Sequence, residues 1–240
     1  MDRRKRVAIV QSNYIPWKGY FDLINSVDEF ILLDDVQYTR RDWRNRNRIK
    51  TAGGVIWLTI PVNVKGRYDQ RIDETTVSDP NWADAHWTTI RHNYAGARHF
   101  EEYAEAVQGA YRDIPSGLLS EVNSHMLTAI CGLLGIRTPI THSTDYHAAG
   151  RKGDRLLNLC LEAGANEYLS GPTARSYLDE TSFAQAGVAT SFFSYDGYPE
   201  YEQLHPPFEH AVSILDLIFN AGHEAASYMK SFSAAVGHAD

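Results

Sequence analysis

Three stretches gather side chains able to do chemistry. The first reads Gln11-Ser12-Asn13-Tyr14-Ile15-Pro16-Trp17-Lys18-Gly19-Tyr20-Phe21, in which amides, phenols and an amine open a helical pattern. A helix start presents unpaired N–H groups and the positive end of the dipole, which suit an anion. Pro16 fits such a start, and Gly19 admits close approach of a ligand or neighbouring backbone. Neither GxGxxG nor GxxxxGK[ST] is present, so the common phosphate loops are absent. The second stretch, Asp34-Asp35-Val36-Gln37-Tyr38, pairs carboxylates that could hold a metal, orient a hydroxyl or act as a base. A turn with a helix cap is their plainer use. The third, Trp43-Arg44-Asn45-Arg46-Asn47-Arg48-Ile49-Lys50, alternates arginine and asparagine beside a tryptophan. Planar guanidinium forks match carboxylate or phosphate oxygens, so this stretch is expected to recognise an anion.

Two later stretches add to these. Tyr168-Leu169-Ser170-Gly171-Pro172-Thr173 joins a hydroxyl, a flexible glycine and a rigid proline. Ser170 lacks the GxSxG setting of a nucleophile, so a ligand cradle of hydroxyl and backbone is the expectation. Tyr195-Asp196-Gly197-Tyr198-Pro199-Glu200-Tyr201 is too polar and too aromatic for a core and reads as a substrate-lining loop. His205 follows it and is the general-base candidate by residue type. No HxxxH or HExxH pair occurs among the ten histidines, so no metal ligands are assigned.

Strand exits must hold these residues. Val7 to Val10 is a β-branched run that reads as a buried strand, Trp17 to Ser26 a helix, and Phe30 to Leu33 a second strand. Together they make a βαβ unit, whose crossover is right-handed and whose strands are parallel. Residues 38–77 read as an inserted β element, with strand at Ile56 to Val64, a turn at Gly53-Gly54 and the arginines in a loop. Helices are expected over 82–94, 99–112 and 116–134, the last closed by Gly135. Beyond them, strands at 139–143, 167–170 and 189–194 alternate with helices at 154–163, 181–185 and from 213. The tail after Phe232 is expected to fray. The class is α/β in one domain, 1–240: a mostly parallel, Rossmann-like sheet with helices on both faces. In such sheets ligands bind beyond the carboxyl ends of the strands.

Composition narrows the function. Apolar residues make up 43% and charged residues 22%, which places the chain among globular proteins. The net charge of −7 argues against DNA as a partner, although the arginine stretch is locally basic. Cys131 and Cys160 lie in apolar helical patterns and read as buried thiols. The apolar run after MDRRKR is too short for a signal peptide, and no run of about 18 apolar residues exists. A cytoplasmic protein is therefore expected.

The three opening stretches, with Tyr168 to Pro172, Gly197 to Tyr201 and Ser213-Ile214-Leu215-Asp216, resemble the WbqC-like family over about residues 7–220. Ser12 departs from the pattern, which has proline after the glutamine. The resemblance implies a role in bacterial surface-glycan or natural-product biosynthesis, with transfer of glycine or another aminoacyl group. The layout is also similar to nucleotidylyltransferase-type Rossmann folds, but the first loop lacks their histidine motif. On these grounds the expected activity is amide or ester formation between an amino acid and a sugar or natural-product acceptor. The donor is activated by ATP with Mg²⁺, or arrives on a carrier protein or tRNA. Nucleotidylyl transfer with release of pyrophosphate, or non-catalytic binding in a biosynthetic complex, are the alternatives. Gln11, Asn13, Tyr14, Trp17, Lys18, Gly19, Tyr20, Gln37, Tyr38, Trp43, Asn45, Arg48, Ser170, Gly171, Pro172, Tyr198, Glu200 and Tyr201 would bind substrate. Asp35, Arg46 and His205 would act in catalysis. A homo-oligomer stays open.

Overall fold

The computed structural model describes residues 4–234. The tail expected to fray beyond Phe232 lies, from residue 235 on, outside these. In chain order the elements are β1 (Arg6–Val10), α1 (Lys18–Asn25), β2 (Glu29–Leu32), β3 (Arg46–Thr51), β4 (Gly54–Thr59) and α2 (Trp82–Tyr94). Then come α3 (Phe100–Arg112), α4 (Leu119–Leu134), β5 (Ile140–His142), α5 (Lys152–Glu162), β6 (Glu167–Ser170), α6 (Glu180–Gln185), β7 (Ala189–Phe192), α7 (Ile214–Ala221) and α8 (Lys230–Ala234).

Five strands form one parallel sheet in the order β5-β2-β1-β6-β7. Counted among themselves, they run 3-2-1-4-5, so the order reverses between β1 and β6. Alternation along each strand builds a core on each face. Ala8, Phe30, Leu32 and Leu169 pack with α1, α4 and α7, whereas Val7, Ile9, Ile31 and Tyr168 pack with Leu156, Leu159 and Cys160 of α5 and Phe183 of α6. Covering both faces buries β2 and β6 completely and the centre of β1, whereas the edge strands β5 and β7 stay partly exposed. Both cysteines are buried free thiols. No helix among the described residues is long and apolar enough to cross a membrane.

The insertion differs from expectation. The arginine stretch is strand β3, not loop, and it pairs antiparallel with β4 around the Gly53-Gly54 turn. Asn45, Asn47 and Ile49 are buried while Arg46 and Arg48 are half exposed, so the alternating polarity of this segment is the period of a strand. Pro61 to Val64 is not a strand; its one sheet-like contact is the bridge from Val62 to Val77. Asn63 sits there among side-chain and backbone partners on residues 76 and 77.

Buried polar groups tie the loops to this frame. Asp216 on α7 accepts from the hydroxyls of Tyr94 and Tyr201 and from Gln203. Asp22 on α1 accepts from the Tyr198 hydroxyl and from the backbone N–H groups of Lys230 and Ser231. His86 on α2 is held 2.8 Å from the Tyr14 hydroxyl and 3.2 Å from the Thr59 carbonyl. Burial pushes its pKa from an ordinary 6.5 down to about 4, so the ring is neutral near pH 7. Between those two values the unfolded chain binds the extra proton and the folded one does not, so stability rises with pH across this window and is lost as pH falls through it. Urea melts at pH 4.5 and 7 are expected to show this slope, and His86→Gln to flatten it. An unchanged slope in the variant would assign the acid sensitivity to other groups.

Candidate functional site

The point where strand order reverses lies between the carboxyl ends of β1 and β6, and in open α/β sheets ligands bind at such a point. The loop leaving β1 shapes it. Ile15 is fully buried and takes φ +34°, a conformation that β-branched residues rarely adopt. Several contacts hold it there. The Asn47 amide donates to the Tyr14 and Ile15 carbonyls, both at 3.0 Å, the Tyr14 N–H bonds the Trp43 carbonyl, and the Ile214 N–H bonds the Pro16 carbonyl. Arg44 donates to the Asn13 side chain and the Ser12 carbonyl, and the Tyr20 hydroxyl donates to the Gln11 carbonyl. Strain of this kind persists only where the surroundings over-determine it, and it clusters at functional sites.

The loop borders a cleft of about 290 Å3 lined by Asn13, Pro16, Trp17, Trp43, Asn47 and Ala211. That is the small end of the usual range for ligand sites. Gly19 is what lets Trp17 form its wall. A Cβ there would lie 2.4 Å from the indole, which folds back over the first turn of α1. On its far side Trp17 packs against Tyr195 at 5.4 Å and Tyr198 at 5.5 Å between ring centroids. The Tyr195 hydroxyl in turn is the nearest neighbour above Gly171 at the β6 exit.

Beside the cleft, two guanidinium groups lie on two indoles. Arg46 stands 4.2 Å from the Trp57 ring centroid, and Arg48 stands 5.7 Å from that of Trp43 and 5.8 Å from that of Trp57. Their Nε atoms are buried without a hydrogen-bond partner, and neither side chain pairs with a carboxylate among the described residues. The indoles hold the guanidinium groups by cation–π attraction, and Arg46 also donates to the Arg41 carbonyl.

A cationic and aromatic wall lies next to Trp17. Lys18 is buried, donates to the Pro199 carbonyl at 2.8 Å and sits 5.3 Å from the Tyr198 and 5.0 Å from the Tyr201 ring centroids. Burial pushes its pKa down to about 8, with Asp22, Asp216 and Glu200 opposing. His210, immediately before Ala211 of the cleft, has a buried Nδ1 without a partner and packs on the Phe208 ring at 4.5 Å. Burial and then Lys18 lower its pKa, against Glu200 and Glu209.

Several predicted residues stand elsewhere or serve the frame. Tyr14 is fully buried, bonded to His86 and Tyr111, so its ring cannot touch a ligand. The hydroxyls of Tyr20, Tyr198 and Tyr201 are spent on Gln11, Asp22 and Asp216. Asn45 is buried and donates to the Ile60 carbonyl. Gln37 is exposed and reaches the Tyr68 carbonyl, while Tyr38 lines a separate depression with Arg40 and Arg41. Ser170 is buried and donates to the Tyr168 hydroxyl, and Pro172 begins the 3-10 turn Pro172–Ser176. His205 has its Nε2 at the Asn93 carbonyl, and its own carbonyl accepts from Lys50. Asp35 is ion-paired to Arg155 and accepts from Ser143. Asp34 accepts from the Ser12 N–H and Ser120 hydroxyl. Asp34 thus has both oxygens engaged, and Asp35 likewise, so this pair is a poor fit for Mg²⁺ and no step is routed through a metal. His99, Glu102 and His223 bring ligand atoms within 4.8 Å of one another, but none of them lines the cleft.

Sequence reasoning singled out Trp17, Trp43, Asn13, Arg46 and Arg48, which the fold gathers. It named Arg44, Asn47 and Tyr195 only as members of their stretches, and passed over His210 and Ala211. Asn47 was legible as the inward partner of the Arg46/Arg48 alternation. No local signal marks His210, which precedes Ala211 of the cleft on the long loop from β7 to α7.

Fold and site define an α/β protein with a five-stranded parallel sheet and an arginine-flanked cleft beside the loop that leaves β1. The chain belongs to the WbqC-like protein family, whose model matches residues 11–228. It is 54% identical over 226 residues to the uncharacterized protein Rv1507c of Mycobacterium tuberculosis (strain ATCC 25618 / H37Rv), covering 94% of this chain and 98% of that protein. No solved structure matches the chain.

Proposed function

We propose that this protein is a small-molecule transferase that attaches an amino acid of glycine-like size to a sugar or natural-product acceptor from an activated acyl donor. The observation that supports it most is the pair of indole-stacked guanidinium groups with unpartnered Nε atoms beside a small amide-lined cleft. Arg46 and Arg48 hold an anionic group of the acceptor, such as the diphosphate of a nucleotide-linked sugar. Asn13 and Asn47 offer hydrogen bonds to the polar end, and Trp17 and Trp43 flank it. The acceptor amine or hydroxyl attacks the acyl carbon. The new C–N or C–O bond forms as the bond to the leaving group breaks, and the acceptor proton passes through His210 to that leaving group.

His210 replaces His205 as the base in this reading, because its Nδ1 has no hydrogen-bond partner and it directly precedes Ala211 of the cleft. Since burial lowers its pKa, it stays unprotonated to a lower pH than an exposed imidazole and activity should persist further into acid. Turnover of glycyl thioester with a nucleotide-linked sugar, followed by mass spectrometry, tests the proposal. His210→Gln is expected to reduce kcat by about 10²-fold or more without lowering the melting temperature. Full activity in that variant would remove His210 from the chemistry, and no product with any acyl donor would overturn the transfer reading.

A further inference from the structure

The insertion that carries Arg46 and Arg48 has an outer surface the cleft does not use. From Tyr38 to Arg67 the chain has eight cations (Arg40, Arg41, Arg44, Arg46, Arg48, Lys50, Lys65 and Arg67) against one carboxylate, Asp42, a net +7. The whole chain carries −7, so everything outside this segment carries −14. Arg44 alone of the eight forms an ion pair among the described residues, with Asp42 at 3.5 Å. Arg40, Arg41, Lys65 and Arg67 are exposed. Apolar groups are concentrated in the same place. Of the seven large hydrophobic side chains exposed among the described residues, four are in this segment, Trp43, Val55, Ile56 and Trp57, and a fifth, Tyr68, directly follows it, with Trp57 44% exposed. All of β4 except Leu58 faces solvent.

Exposed tryptophan and aliphatic residues rimmed by unpaired arginine and lysine have the composition of a protein interface. The aliphatic Val55 and Ile56 have no counterpart to meet on a phosphate backbone, which favours a protein over RNA. Charge complementarity then requires an acidic partner. Trp43 belongs both to this surface and to the cleft wall, so a partner seated here stands at the cleft mouth.

We propose that the β3–β4 hairpin and the loop to Arg67 dock an acidic helical carrier protein that presents the acyl group as a thioester on a flexible arm. This rests on the transfer reading above and names its donor. The acceptor nucleophile forms its bond to the acyl carbon, the C–S bond breaks, and the carrier leaves as the free thiol with the acceptor's proton. Seating the carrier on the hairpin raises the local concentration of its thioester at the cleft.

Steady-state kinetics with glycyl-loaded acyl carrier protein and with glycyl-pantetheine, at saturating acceptor, test the assignment. The variants are Ile56→Asp and the double variant Lys65→Glu/Arg67→Glu, all at exposed positions outside the cleft. KM for the carrier-bound donor is expected to rise about tenfold or more and to grow with ionic strength in the wild type, while kinetics with glycyl-pantetheine stay unchanged. An unaffected KM for the loaded carrier would overturn the docking surface. Should neither donor turn over, the transfer reading fails by itself. Fluorescence anisotropy of labelled carrier protein then decides the docking: binding lost in the variants supports it, and absent or equal binding overturns it. Binding of single-stranded RNA in place of the carrier, or a dimer in sedimentation velocity that the same variants abolish, would also overturn the assignment.

Discussion

Arg48→Ala is expected to weaken binding of a nucleoside-diphosphate sugar by about 10- to 100-fold, with the fold intact. A hydrogen bond to a charged group contributes about 1.5–3 kcal/mol, and each 1.4 kcal/mol is a factor of ten. The Nε of Arg48 is buried without a partner, and its Cζ lies 5.7 Å from the Trp43 and 5.8 Å from the Trp57 ring centroids. Its backbone carbonyl, which accepts from the Ser213 N–H, survives the substitution. Arg48→Lys keeps the charge but loses the flat fork and the stacking, so it should recover only part of the affinity. Titration calorimetry reads the affinities and circular dichroism melting confirms folding. A loss of less than threefold in Arg48→Ala would remove this arginine from the site.

Asn47→Ala is expected to cost about 2–4 kcal/mol of stability, a fall in Tm on the order of 5–12 °C for a chain of this size. Two carbonyls, of Tyr14 and Ile15, lose their donor at once. Leaving a buried acceptor unpaired costs about 1–3 kcal/mol. The effect reaches the site because these bonds hold Ile15 at φ +34°, from which the loop would relax and move Asn13 and Pro16 in the cleft wall. Binding should therefore fall together with stability. A variant as stable as the wild type by calorimetry would show that the loop holds its strain by other contacts.

Much of this molecule was legible before any coordinates. The apolar runs at Val7 to Val10, Phe30 to Leu33 and Tyr168-Leu169 announce strands buried on both faces, because periodicity is local and survives in a list of residues. Gly135, at φ 74°, closes α4 where the helical pattern ends. The alternating arginines and asparagines carry the expectation of an anion, and their period of two also spells a strand, which Arg46–Thr51 forms. Which tyrosines would be spent on Asp22 and Asp216, and which histidine would reach the cleft, depended on contacts between residues more than a hundred positions apart, such as Tyr94 with Asp216. Residue type alone ranked His205 and Asp35 as bases, but availability is a matter of partners. Asn93 meets the one and Arg155 the other, while the unpartnered Nδ1 of His210 exists only once the β7–α7 loop is laid against Phe208. The sequence by itself determined the class of fold and the family, and it marked the stretches whose side chains could form a site. Tertiary structure decided which of those side chains remain free to act, because a polar group's availability is set by the neighbours that folding brings to it.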